Sequence, residues 1–124
     1  PVIRDVDEKS LLQLSIELQD IAERTRQRKV SLEEVQGGTF TISNQGGIGG
    51  AHFTPIINKP ELAILGVGRG SMQAVVREGK IVQRMIVPLA LSYDHRLIDG
   101  GNAARFITDL VAALQNFKLS EAKI

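Results

Sequence analysis

Apolar and polar positions along this chain change period several times, and each change marks an element. Leu11, Leu14, Leu18 and Ile21 recur at helical spacing, with Glu17, Asp20, Glu23 and Arg24 off that stripe. Ser10 and Gln13 form an S-x-x-Q capping box at its start. Arg24, Arg26, Arg28 and Lys29 crowd its far end, where the helix dipole favours cations. That cluster reads as a solvated helix end, with contact to an anionic group of a ligand as the alternative. Ser31 and Glu34 repeat the box for a short helix, stopped by Gly37 and Gly38.

The period then becomes two. "TFTIS", Thr39 to Ser43, predicts a strand with Phe40 and Ile42 on one face and Thr39, Thr41 and Ser43 on the other. "NQGGIGGAHFTP" is too rich in glycine for regular structure. "ELAILGV", Glu61 to Val67, predicts a buried strand. "SMQAVVREGKIVQRMIV" predicts a hairpin turning at Glu78 and Gly79. Its second strand runs on into "PLALSYD", where Pro88 predicts an edge or a bulge. Ala103, Phe106, Ile107, Leu110, Val111 and Leu114 predict a closing amphipathic helix, and "KLSEAKI" a frayed tail. The order of helices and strands implies an α/β fold, a mixed sheet with flanking helices.

Composition narrows the classes. The chain has 124 residues, one ordinary domain in size, and no internal repeat or linker breaks it. With one tyrosine, four phenylalanines and no tryptophan, its core must be aliphatic. A net charge of +1 gives no reason to expect nucleic acid or an anionic membrane as partner. No apolar run approaches the length of a membrane span. "PVIRDVDEKS" is neither a signal peptide nor a basic presequence, and its lack of Met points to an internal start. There is no cysteine, so disulfides, thiolate metal sites and a cysteine nucleophile are excluded. Any thiol chemistry must use thiols of the substrates. Absence of cysteine fits a cytosolic or matrix home.

Candidate chemistry concentrates in "SYDHRLIDG", Ser92 to Gly100, which holds one of only two histidines. Three readings compete. In the first, Asp99 or Asn102 caps the final helix and His95 is a loop residue. In the second, His95 and Asp99, four apart, share a metal ion with His52, although the ligand count is short. In the third, His95 is a general base, suited to taking a proton near neutral pH. A free thiol has a pKa of about 8.5 and needs such a base to attack at neutral pH.

"DHRLIDG" resembles the D-H-R-x-x-D-G motif of the dihydrolipoamide acyltransferases, the E2 components of 2-oxo acid dehydrogenase complexes. "PVIRDVDEKSLLQL", "GGTFTISNQGGIGG" and "FTPIINKPELAILGVG" also resemble that family, in family order. The resemblance implies a two-layer fold like that of chloramphenicol acetyltransferase. Residues 1–124 would be the C-terminal part of its catalytic domain. The lipoyl domain, the peripheral-subunit-binding domain and the front of the catalytic domain fall outside this stretch.

The resemblance also implies roles. His95 would be the general base for the thiol of coenzyme A or dihydrolipoamide. Asp99, at the second acidic position of the motif, would fix the loop, and Arg96 would be an internal charge partner. Ser43, from the "FTI[S/T]N" block, would donate its hydroxyl to the oxyanion; the residues alone allow it to bond backbone instead. Asn44 and Gly68 would approach the pantetheine arm of coenzyme A, or simply serve turn geometry. "GVGRG" does not complete a dinucleotide fingerprint, because Ser71 stands where the third glycine would be.

Coenzyme A is implied as substrate, with the lipoyl group carried on another domain and no metal. Implied partners are further copies of the chain, as a trimer and then a larger hollow core, together with the lipoyl domain. The E1 and E3 components would bind through domains outside this stretch. Acetyl is the favoured acyl group, with succinyl and branched-chain transfer as alternatives. A non-catalytic core module, or an acyltransferase acting on an amine or hydroxyl, is the rival reading. The implied location is a bacterial cytoplasm or a mitochondrial matrix.

Overall fold

The computed structural model describes residues 1–122. They fall into two compact units, Phe40–Ile107 and a second made of Pro1–Thr39 with the chain from Thr108 onward.

In the terminal unit, helix α1 spans Leu11–Arg26. Both halves of the capping box form: Ser10 Oγ accepts from the Gln13 backbone at 3.2 Å, and Gln13 Oε1 accepts from the Ser10 backbone at 2.8 Å. Ile21 is buried, whereas Leu11 and Leu18 of the expected stripe are exposed. The covered line runs instead through Leu14, Glu17, Ile21 and Arg24. Glu17 and Arg24 can sit there because each has an ionic partner: Lys9 with Glu17 at 2.6 Å, Arg24 with Glu34 at 2.6 Å.

The basic helix end is therefore tied into the terminal unit. Arg24 also pairs with Asp20, and Arg26 with Glu23. The second capping box forms around a single 3-10 turn, Glu33–Val35, rather than a longer helix. The Ser31 backbone N–H, and then Arg24, hold the Glu34 carboxyl below the usual carboxylate range. Arg4 donates to the carbonyls of Glu33 and Gln36, both at 3.1 Å, which pins the N-terminal segment to this turn.

The other unit is built on a three-stranded mixed sheet. Strands β1 (Thr41–Asn44) and β2 (Ala63–Val67) are parallel, and β2 pairs antiparallel with β5 (Leu89–Tyr93). Ile64 and Leu65 point to opposite faces of β2 and both are buried, so the central strand is covered on both sides. Between β2 and β5 runs a separate hairpin, β3 (Ser71–Arg77) and β4 (Lys80–Ile86). Its turn has φ 52° at Glu78 and 75° at Gly79, the pair of left-handed residues that a two-residue hairpin loop requires. Met72 and Met85 face each other across the hairpin, as do Val76 and Ile81; all four lie on one face and all are exposed.

The strand after the hairpin does not run through Pro88. It stops at Ile86 and resumes in the other sheet at Leu89, with the Pro88 carbonyl accepting from Gly68 N at 2.9 Å. Helix α2 spans Gly100–Asn116, and Phe106 meets Phe40 at 5.8 Å between ring centres. The expected frayed tail begins instead with a 3-10 turn, Leu119–Glu121; the last two residues of "KLSEAKI" lie outside the described residues.

Candidate active site

Ser43 lies near the C-terminal end of β1, in register with Gly66 of β2. The strand alternates as expected, but its polar face is the covered one: Thr41 and Ser43 are half-buried, whereas Ile42 is 63% exposed. Thr41 Oγ1 satisfies itself on Glu61 at 2.5 Å. The Ser43 hydroxyl makes no hydrogen bond to any described residue, backbone included. It is a half-buried donor left free to serve something else.

The glycine-rich segment wraps this end of the sheet. Asn44 Oδ1 accepts from Gly46 N at 3.0 Å, Gln45 N donates to Val67 O at 3.0 Å, and Arg69 N to Gly50 O at 2.7 Å. The loop is thereby laid against Gly68 so closely that a Cβ there would stand 2.0 Å from the Ala51 carbonyl oxygen and 2.7 Å from Pro88. Only glycine fits. Gly68, Gly66, His52, Phe53 and Leu89 line a small pocket of about 60 Å³. Asn44 and Gly68 are thus brought to the same end of the sheet, on either side of Gly46. His52 joins them, which the sequence reading placed only as a possible metal ligand.

His95 stands elsewhere. Ser43 is level with Ala90 through Gly66, and β5 runs on from Ala90 to Tyr93 before His95 follows in the turn. At about 3.4 Å per residue, the two side chains are separated by more than ~10 Å along the strand direction alone. Within one chain the serine and the histidine do not meet, and the two histidines do not either. His52 therefore cannot share an ion with His95 and Asp99. Among the described residues no three His, Cys, Asp or Glu side chains are grouped to hold a metal.

The turn that carries His95 is rigidly built. Asp94 N donates to Leu62 O at 2.8 Å, and Asp94 O accepts from Leu97 N and Ile98 N. The Asp94 carboxylate takes Arg96 in a fork, with Nε at 2.9 Å and Nη2 at 2.6 Å. That guanidinium, together with the Arg96 backbone N–H, lowers the Asp94 pKa to about 2. Arg96 is the internal charge partner expected of it.

Asp99 caps α2, accepting from Asn102 N at 2.7 Å. Neither aspartate reaches the imidazole. His95 is exposed, its side chain hydrogen-bonds no described residue, and its ring lies 5.5 Å from that of Tyr93 at 37°. Tyr93 is not singled out by the sequence, because a ring contact formed where a strand runs into a turn follows no spacing rule.

Residues 1–121 match the family of 2-oxoacid dehydrogenases acyltransferase (catalytic domain). This chain belongs to that family. Among curated members, the dihydrolipoyllysine-residue acetyltransferase component of the Pseudomonas aeruginosa pyruvate dehydrogenase complex is 54% identical over 119 residues, covering 95% of this chain and 22% of that protein. The Azotobacter vinelandii dihydrolipoamide acetyltransferase, solved in work on a serine, a histidine and an asparagine in its catalytic mechanism, superposes with a TM-score of 0.89. It is 52% identical, over 94% of this chain and 48% of that one. The cubic core of a pyruvate dehydrogenase multienzyme complex gives the same TM-score at 53% identity, over 94% of this chain and 48% of that one. The chain described here therefore spans about a fifth of the curated relative and about half of the solved ones.

Proposed function

We propose that this chain transfers an acetyl group between dihydrolipoamide and coenzyme A as part of a pyruvate dehydrogenase complex core. One observation carries the reading. The serine, histidine and asparagine of the Azotobacter vinelandii enzyme are separated in sequence by the same intervals as Ser43, His95 and Asp99. Acetyl is favoured over succinyl and branched-chain groups because the relatives are acetyltransferases.

The chemistry follows from the residues. The His95 imidazole takes the proton of the acceptor thiol, and the thiolate attacks the thioester carbonyl. The carbonyl oxygen gains negative charge, and the free Ser43 hydroxyl donates to it. Collapse expels the second thiolate, which recovers the proton from His95. Lacking cysteine, the chain has no thiol of its own to hold the acyl group, which favours direct transfer; an acyl-enzyme on Ser43 is the one remaining exception.

Because Ser43 and His95 stand at opposite ends of one sheet, the working site takes its serine and its histidine from two copies, as in a trimer that assembles further into a hollow core. The lipoyl group arrives on its own domain, and the E1 and E3 components act through domains outside this stretch. A bacterial cytoplasm or a mitochondrial matrix supplies both thiols.

The test is transfer from acetyl-CoA to dihydrolipoamide by the purified protein beside its His95→Ala variant. The expected result is transfer that falls roughly 10²–10⁴-fold in the variant. Transfer that the substitution leaves unchanged overturns His95 as base, and absence of transfer in the parent favours the non-catalytic core module.

A further inference from the structure

His95 has an unusual lack of support for a general base. Catalytic imidazoles are ordinarily oriented by a hydrogen bond from one ring nitrogen to a carboxylate or carbonyl. Here Asp94 is committed to Arg96 and Asp99 to Asn102. The described contact on the imidazole is the Tyr93 ring, tilted at 37° with 5.5 Å between centres. Tyr93 is itself held. It ends β5, pairs with Ala63 of the central strand, and is half-buried. A Cβ placed on Gly100 would lie 3.7 Å from Tyr93 Oη and 4.0 Å from His95 Nε2, so both polar tips converge on the first residue of α2.

We propose that Tyr93 is a positioning residue: its ring, anchored in the sheet, fixes the plane of the His95 imidazole so that Nε2 faces the incoming thiol. The inference rests on the acyl-transfer reading above. A ring held against a tilted neighbouring ring keeps a narrow range of orientations, and a base so held loses less freedom on reaching the transition state. The ring face does this work; the hydroxyl is not required. The effect belongs to kcat, because orientation of the base matters only once the thiol is bound.

The experiment compares Tyr93→Phe and Tyr93→Leu in the same purified protein. With only two histidines, the His95 and His52 ring protons can be followed separately by NMR, and the Tyr93 ring current acts on His95 alone. The Phe variant should keep kcat within about twofold, and the Leu variant should lose about tenfold or more with KM for both thiols little changed. In the Leu variant the His95 resonances should move and those of His52 should not. Leu keeps an apolar side chain at this half-buried site, and unmoved His52 resonances report that the fold survives. A Leu variant as fast as the parent overturns the proposal alone, and so does a Phe variant as slow as Leu, which would assign the work to the hydroxyl. A parent without acyl transfer brings down the functional reading and the proposal with it.

Discussion

Asp99 accepts twice from Asn102, through the backbone N–H at 2.7 Å and the side-chain amide at 2.9 Å, and Asn102 Oδ1 in turn accepts from Arg105 at 2.7 Å. The relay has a direction. The carboxylate turns the amide so that its oxygen faces Arg105. Asp99→Ala removes both bonds and should cost about 1 kcal/mol of stability. It should also loosen the turn holding His95 and lower transfer severalfold. Asp99→Asn keeps an Oδ1 for the cap but sets amide against amide. Its stability should stay near that of the parent, since Asn and Asp cap about equally well, and its activity should remain of the same order. Thermal melts and acetyl transfer on the two variants check both statements.

The Asp94–Arg96 pair makes the turn sensitive to acid. Asp94 has a pKa of about 2 in the folded chain against an ordinary 3.8. The folded value is the lower one, so the pair stabilises fully above the ordinary carboxylate range. That contribution is lost as pH falls from about 4 towards 2. Asp94→Asn should remove this part of the acid dependence. Urea midpoints measured from pH 5 to pH 2 on parent and variant should converge at the acid end.

Gly68→Ala should be disruptive well beyond its size. The added methyl would stand 2.0 Å from the Ala51 oxygen, main chain that cannot rotate away. Either the loop from Gln45 to Ala51 lifts or Pro88 shifts. Overpacking of this kind costs about 1–3 kcal/mol, to be read from the denaturant midpoint. The bond from Arg69 N to Gly50 O should exchange its amide proton faster in the variant.

A site shared between copies predicts complementation. Ser43→Ala should lower kcat roughly 10²–10³-fold through loss of the oxyanion donor. Mixed with His95→Ala chains under conditions where trimers exchange, it should regain activity, because some sites then combine an intact serine with an intact histidine. Mixed assemblies with no recovered transfer would show that one chain supplies both groups.

Local features of this fold were legible in the sequence, and pairings between distant segments were not. Both capping boxes form because each is closed within three residues. The hairpin turn falls at Glu78 and Gly79 because its backbone demand is local. The alternation of β1 was legible, but not which of its faces is covered. Ile42 is exposed and Thr41 is half-buried, since burial depends on what is laid over the strand and not on its alternation. The α1 stripe rotated for the same reason, its covered line being closed by ion pairs from Lys9 and Glu34. His95, Ser43, Asn44 and Gly68 each stand in short blocks that resemble the family's. Their placement at two ends of a sheet follows from the β1–β2–β5 order, which no short motif encodes. Tyr93 escaped notice because a ring contact leaves no spacing signature of its own.

The pocket beside Gly68 is walled in large part by main chain, from Ala51 on one side and Gly66 and Gly68 on another. A wall of that kind has little scope for gradual change. At Gly68 a Cβ collides with main chain, and at Gly66 one would press on the Phe53 ring at 3.0 Å. Evolution or an engineer seeking a different fit must therefore work through His52, Phe53 and Leu89. The adaptable part of this site is one side of it, and the other side is inherited whole.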